Sequence, residues 1–211
     1  MTLPFDVYLI TDETLGVDLV ATTSAVLAAV PRGRIAVQLR AKSLATSDVV
    51  ALARGLREVT REHGALLFVN ERADIARLVG ADGVHLPERS LTPAEARVVL
   101  GDAALVGVSC HDARGLALAA ERGATFATLG PFGPSPGKGK PLGAAAFREL
   151  VRGASLPVIA LGGIGVAEVG PALAAGSQGI AVIRAVLGAP DPAAASLDLL
   201  RALDSIEPAR R

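Results

Sequence analysis

The sequence predicts an α/β protein, a single-domain (β/α)8 TIM barrel over residues 1–211, on three observations. Short β-rich apolar runs alternate with Ala- and Leu-rich helical segments from end to end, the pattern of a parallel sheet wound with helices. The runs can be counted, and eight strand and helix pairs close a barrel. Near the C-terminus, Leu156-Pro157-Val158-Ile159-Ala160-Leu161-Gly162-Gly163-Ile164-Gly165 and then Gly179-Ile180-Ala181-Val182-Ile183-Arg184-Ala185-Val186-Leu187 each deliver a buried strand into a segment suited to an anion. Glycines let the backbone approach a ligand in the first, and a helix starting at once presents unpaired N–H groups in the second. Barrels of this class bind phosphate after strands seven and eight.

Taken in order, the expected strands are Val7–Ile10, Ile35–Leu39, Ala65–Val69, Gly83–Leu86, Ala104–Val108, Thr125–Leu129, Val158–Leu161 and Gly179–Ile183. Between the second and third, the stretch Asp48–Arg61 repeats Val49, Leu52, Ala53, Leu56 and Val59 at intervals of three and four, with Arg54, Arg57, Glu58 and Arg61 on the other face. That is the period of an amphipathic helix. His63 before Gly64 reads as the C-terminal cap of that helix, on the face opposite the strand ends that matter. An open doubly wound sheet is the alternative, but Thr11-Asp12-Glu13 follows the first strand where a dinucleotide-binding sheet carries Gly-x-Gly-x-x-Gly. The longest irregular piece, Gly130 to Gly143, is rich in Pro, Gly, Ser and Lys, and a loop of that length in a compact domain points to function.

Composition narrows the function classes. The chain has 21 basic and 21 acidic residues and 3% aromatics, which gives neither the charge nor the stacking surface of a nucleic-acid binder. No stretch approaches the roughly 20 apolar residues of a membrane span, and Met1 to Ile10 lacks the pattern of a secretory signal, so a cytoplasmic protein without a membrane partner is expected. A single cysteine, Cys110, excludes an internal disulfide and a multi-cysteine metal cage.

Barrel enzymes gather their chemistry at the C-terminal ends of the strands, and here those positions are polar. They hold Gln38, Arg40 and Lys42 after strand two, Asn70 and Glu71 after strand three, and His85 on strand four. Ser109 and His111 follow strand five, Ser135, Lys138 and Lys140 lie in the loop after strand six, and Arg184 follows strand eight. Strand alternation puts Gln38, Arg40 and Lys42 on one side, so an inward Gln38 carries the two cations with it. His85 reads on position alone as a satisfied interior histidine, and Cys110 as a side chain packed outward against a helix.

The motifs Gln38-Leu39-Arg40-Ala41-Lys42, Asn70-Glu71-Arg72-Ala73-Asp74, Gly80-Ala81-Asp82-Gly83-Val84-His85-Leu86, Gly107-Val108-Ser109-Cys110-His111, Leu129-Gly130-Pro131-Phe132 and Ala160-Leu161-Gly162-Gly163-Ile164 together resemble the thiamine phosphate synthase and thiazole tautomerase superfamily. The resemblance implies a thiamine-biosynthesis enzyme, commonly a homo-oligomer, that binds a small phosphorylated thiazole or its carboxylate. It implies substrate contacts at Gln38, Arg40, Lys42, Asn70, His85, Ser109, Ser135, Lys138, Gly162, Gly163, Ile183 and Arg184.

Three departures direct the expectation to the tautomerase branch. Synthases resemble this chain but carry Asp at Glu71 and at Ser90, and a second hydroxyl in the loop Pro134-Ser135-Pro136-Gly137-Lys138. Magnesium demands near-ideal octahedral geometry, so those changes weaken its site. Pro87 also stands where synthases carry Gly. The expected activity is therefore a metal-independent thiazole tautomerase with no cofactor, in which His111, with an ordinary pKa near 6.5, shuttles the proton. The alternative is thiamine phosphate synthase, joining a pyrimidine pyrophosphate to thiazole phosphate with Mg²⁺ on Glu71 and release of pyrophosphate. A non-catalytic thiazole-phosphate binding or regulatory protein is a third reading. Arg184 stands where the family usually has Ser beside the thiazole phosphate.

Overall fold

The computed structural model describes residues 2–206. Eight parallel strands, β1 (Val7–Ile10), β2 (Ile35–Leu39), β3 (Leu67–Asn70), β4 (Gly83–Leu86), β5 (Leu105–Cys110), β6 (Phe126–Leu129), β7 (Val158–Leu161) and β8 (Ile180–Val182), pair in sequence order. Closure is direct: Val7 of β1 pairs with Ile35 on one side and Ile180 on the other. The helices α1 (Leu19–Ala29), α2 (Thr46–His63), α3 (Ala73–Val79), α4 (Pro93–Leu100), α5 (Ala113–Glu121), α6 (Gly143–Arg152), α7 (Val166–Ala174), α8 (Arg184–Leu187) and α9 (Pro192–Ile206) surround it. The expected (β/α)8 TIM barrel is the fold observed.

Strand boundaries differ from the expectation by one or two residues, with local causes. β3 begins at Leu67 because α2 ends in a left-handed Gly64 and Ala65 still donates its N–H to the Thr60 carbonyl. β5 runs on to Cys110, which pairs with Leu129. β8 stops at Val182 because Ile183 already caps α8, which is only one turn long; the full outer helix is α9. α2 starts two residues earlier and ends two later than its apolar period.

Alternation along the strands divides the core in two. Val7, Leu9, Val37, Leu39, Leu67, Val69, Val158 and Val182 face outward and pack beneath the helices. Tyr8, Ile10, Ala36, Phe68, Phe126, Ile159 and Ala181 fill the barrel interior, with Phe5 closing the N-terminal end. Phe5, Tyr8, Phe68 and Phe126 form a plug whose ring centroids lie 5.3 to 6.1 Å apart, mostly edge to face, the favoured arrangement for aromatic quadrupoles. The plug fills the lower barrel, so any ligand space lies above it, at the strand C-termini.

Candidate active site

Above the aromatic plug, residues at the strand ends enclose a cavity of about 370 Å³, open at the C-terminal mouth. Gln38, Arg40, Lys42, Asn70, His85, Ser109, His111, Ser135, Lys138, Gly162, Ile183 and Arg184 all line it. Gly163 does not; it packs on the loop after β6, where a Cβ would stand 2.5 Å from the Gly133 and Pro134 backbone. With φ of +63° as well, Gly163 is held to glycine by conformation and by space. It therefore shapes the Gly162 loop without lining the cavity. Another depression, of about 360 Å³, lies between α4 and α5 and includes Ser90. It collects residues from one side of the molecule, whereas the mouth gathers side chains from around the whole barrel.

The β2 end is held in place by β1. Thr11 Oγ1 accepts the Arg40 N–H at 2.8 Å and donates to the Arg40 carbonyl at 3.2 Å. Glu13 Oε1 accepts the N–H groups of Lys42 at 2.7 Å and Ser43 at 3.0 Å. Neither Arg40, Lys42 nor Lys138 has a carboxylate within 4.0 Å among the described residues, so three unpaired cations from two separate loops converge on one cavity. Convergent cations at a concave mouth raise the local positive potential and favour an anionic ligand.

Arg184 is half exposed, with its guanidinium 4.0 Å from the Asp12 carboxylate. Asp12 is buried and accepts hydrogen bonds from the Thr14 N–H at 3.1 Å and its hydroxyl at 2.6 Å, so it is fixed while Arg184 is comparatively free.

On the cavity floor, His85 Nε2 lies 3.0 Å from Ser109 Oγ and 3.5 Å from Thr128 Oγ1, and Nδ1 lies 3.4 Å from the Tyr8 hydroxyl. Burial pushes the His85 imidazole down to about 3, so the ring is neutral near pH 7. Burial likewise raises the Tyr8 phenol well above its ordinary range, with the Gln38 amide acting against it. The interior reading of His85 holds, and the same residue lines the cavity. His111 is placed differently: its Nδ1 lies 3.0 Å from the Gly130 carbonyl, bridging the end of β5 to the start of the β6–α6 loop. Cys110 is buried against the start of α5, and burial pushes its thiol up to about 12, with the Glu88 and Asp112 carboxylates adding to the shift.

Asp12, Thr128 and Glu88 line the cavity and were not singled out by the sequence. Thr128 has a signal there, since it lies two residues from Phe126 on β6 and alternation turns both inward. Glu71 takes φ of +64°, the single left-handed residue other than glycine among those described, and is not part of the cavity lining. Left-handed backbone costs a side-chain-bearing residue roughly 1–2 kcal/mol, and such residues cluster at functional sites. Glu71 is anchored by its N–H to the His85 carbonyl at 2.8 Å.

Among the described residues no cluster of three or more His, Cys, Asp or Glu side chains forms a ready metal cage. Magnesium needs less than a cage: it is commonly held by one or two carboxylates and by substrate phosphates, through oxygen alone. Asn70 and Glu88 supply hard oxygen donors on the cavity wall, and Glu71 is adjacent in the chain to Asn70. This donor set fits that ion.

Residues 7–186 match the family described as thiamine monophosphate synthase. The chain belongs to the thiamine monophosphate synthase family. A relative in Geobacter sulfurreducens is 45% identical over 193 residues, 89% of each chain. The thiamine-phosphate synthase of Methanoculleus marisnigri is 40% identical, covering 92% of this chain and 93% of the relative. A thiamine phosphate pyrophosphorylase from Pyrococcus furiosus superposes with a TM-score of 0.86 at 30% identity, over 96% of both chains. These findings overturn the expectation of the tautomerase branch and of an isomerase. Family relatives at 38% to 40% identity over nine-tenths of the chain are named thiamine-phosphate synthase. The inference from Glu71, Ser90 and Pro87 left out Glu88, which stands between Pro87 and Ser90 and which the fold places on the cavity wall.

Proposed function

We propose that this chain is a thiamine-phosphate synthase. It forms a carbon–nitrogen bond between a thiazole phosphate and a pyrimidine that carries pyrophosphate, as the carbon–oxygen bond to pyrophosphate breaks. One observation carries the reading: the unpaired cations Arg40, Lys42 and Lys138 meet in one cavity of a chain whose relatives over nine-tenths of its length bear that name.

Arg40 and Lys42 on one side and Ser135 and Lys138 on the other bind the pyrophosphate and stabilise the charge that grows on it as the bond breaks. Held in place beforehand by Thr11 and Glu13, the β2 end needs little reorganisation when that charge develops. The thiazole phosphate lies at the Gly162 loop and near Ile183, with Gly162 offering a backbone N–H group and Arg184 a charge-assisted bond. Gln38, Asn70, His85 and Ser109 contact the ring portions of the substrates from the floor and wall. Magnesium, when bound, neutralises pyrophosphate oxygens, and Asn70, Glu71 and Glu88 are the residues that would hold it. His111 keeps a structural task through Gly130, anchoring the loop that carries Ser135 and Lys138.

Replacing Arg40 with alanine should raise KM for the pyrimidine pyrophosphate on the order of tenfold to a hundredfold, the range for losing a hydrogen bond to a charged group. An unchanged KM would remove Arg40 from the pyrophosphate site.

A further inference from the structure

The barrel interior contains a line of hydrogen-bonding groups drawn from β1, β4 and β5, whose direction can be worked out. Tyr8 is fully buried, and a buried hydroxyl donates its hydrogen wherever an acceptor is within reach. Among the described residues the hydrogen-bond partner of Tyr8 Oη is His85 Nδ1, at 3.4 Å. The Gln38 amide lies beside the phenol, yet its Nε2 is buried and meets no partner in acceptable geometry. A neutral imidazole has one donor and one acceptor nitrogen. If Nδ1 accepts from Tyr8, the hydrogen is on Nε2, which donates to Ser109 Oγ at 3.0 Å and is shared weakly with Thr128 at 3.5 Å.

Ser109 Oγ then accepts from His85, and its own hydrogen has no other acceptor among the described residues. The hydroxyl is half-buried and lines the cavity. The Gln38 amide nitrogen is buried beside the Tyr8 phenol, which leaves Ser109 as the donor that faces the cavity. Gly107 makes the arrangement possible, because a Cβ there would stand 2.6 Å from His85 Nδ1 and 2.5 Å from the Phe126 ring.

We infer that Tyr8 and His85 are positioning residues that lock the Nε2–H tautomer and thereby hold Ser109 as a hydrogen-bond donor. Ser109 reads a lone-pair acceptor atom of the substrate, either a heteroaromatic ring nitrogen or a phosphate oxygen. A substrate group presenting a hydrogen to this floor would meet the Ser109 donor and be rejected. The tautomer and the donor polarity of Ser109 stand on the geometry alone; only the identity of the molecule supplying the acceptor rests on the proposed synthase activity.

The test has two parts. Long-range ¹⁵N–¹H correlation spectra of histidine-labelled protein report the tautomer directly, with His85 assigned among the three histidines by comparison with His85→Asn. The expected spectrum shows a protonated Nε2 and a bare Nδ1; the opposite pattern, or a charged ring, overturns the inference without reference to any activity. Binding of pyrimidine pyrophosphate and of thiazole phosphate, each alone, is then measured by calorimetry for the unmodified protein, Tyr8→Phe, Ser109→Ala and the double variant. Ser109→Ala should weaken one of the two ligands about threefold to tenfold, the value of one neutral hydrogen bond, and the affected ligand is the one that is read. Tyr8→Phe preserves the aromatic plug and should weaken the same ligand by a smaller factor, with no further loss when added to Ser109→Ala. Additive losses, or no loss for either ligand in Ser109→Ala, would show that Tyr8 does not act through Ser109.

Discussion

Replacing His85 with asparagine removes a base that the native state keeps uncharged, and the consequence is a change in how stability depends on pH. In the unfolded chain a histidine takes up a proton near pH 6.5, whereas burial holds native His85 down to about 3. Between those values the unfolded state binds one more proton than the native state, so stability falls as pH falls through that window and the loss is complete below the native value. The slope is about 1.4 kcal/mol per pH unit, and from pH 7 to pH 4.5 the His85 contribution to the loss amounts to about 2.5 kcal/mol. The sign is opposite to that of a histidine with a carboxylate partner, and no carboxylate enters the His85 shift. Urea unfolding followed by circular dichroism at pH 7 and pH 4.5, in both proteins, isolates the term, because every other titrating group is common to them. The unmodified protein should lose about 2.5 kcal/mol more than His85→Asn between the two conditions, although the variant is the less stable at pH 7. Equal losses would mean that His85 takes up its proton as readily in the native barrel as in the unfolded chain, and that burial does not hold the ring neutral at pH 4.5.

Other perturbations address the phosphate end of the cavity. Gly163→Ala combines a left-handed backbone with a Cβ 2.5 Å from the Gly133 and Pro134 backbone. It should cost roughly 1–3 kcal/mol in thermal or urea unfolding and weaken thiazole phosphate binding through the displaced Gly162 loop; a variant of unaltered stability would contradict the packing described. Arg184→Ala should weaken thiazole phosphate binding by about tenfold or less, since the side chain is half exposed and already 4.0 Å from Asp12. An unaltered dissociation constant by calorimetry would place that guanidinium in solvent.

The periodic features of this chain were legible, and those that depend on contacts between distant segments were not. Alternation on β2 sufficed to send Gln38 and Arg40 inward together, and the same rule predicts His85 and Ser109 on the inner wall. The start of β3 was misplaced because Ala65 looks like a strand residue but spends its N–H on the C-terminal turn of α2. The link from Tyr8 to His85 joins residues 77 positions apart, and nothing in either neighbourhood announces the other. The cavity residue Asp12 stood in plain view after β1, but its role at the mouth follows from β8 closing on β1 and bringing Arg184 beside it. Assignment to the tautomerase branch failed for a chemical reason. A magnesium ion that takes most of its ligands from water and phosphate leaves only a small imprint on a protein, so Ser90 and Glu71 standing where synthases carry Asp do not separate the two branches.

Formation of thiamine phosphate decides whether this chain is a synthase. Purified protein is mixed with pyrimidine pyrophosphate and thiazole phosphate, with and without magnesium, and thiamine phosphate and released pyrophosphate are quantified together. A synthase gives the two products in equal amounts and only when magnesium is present. Tight binding of both substrates with neither product formed under either condition would contradict that activity.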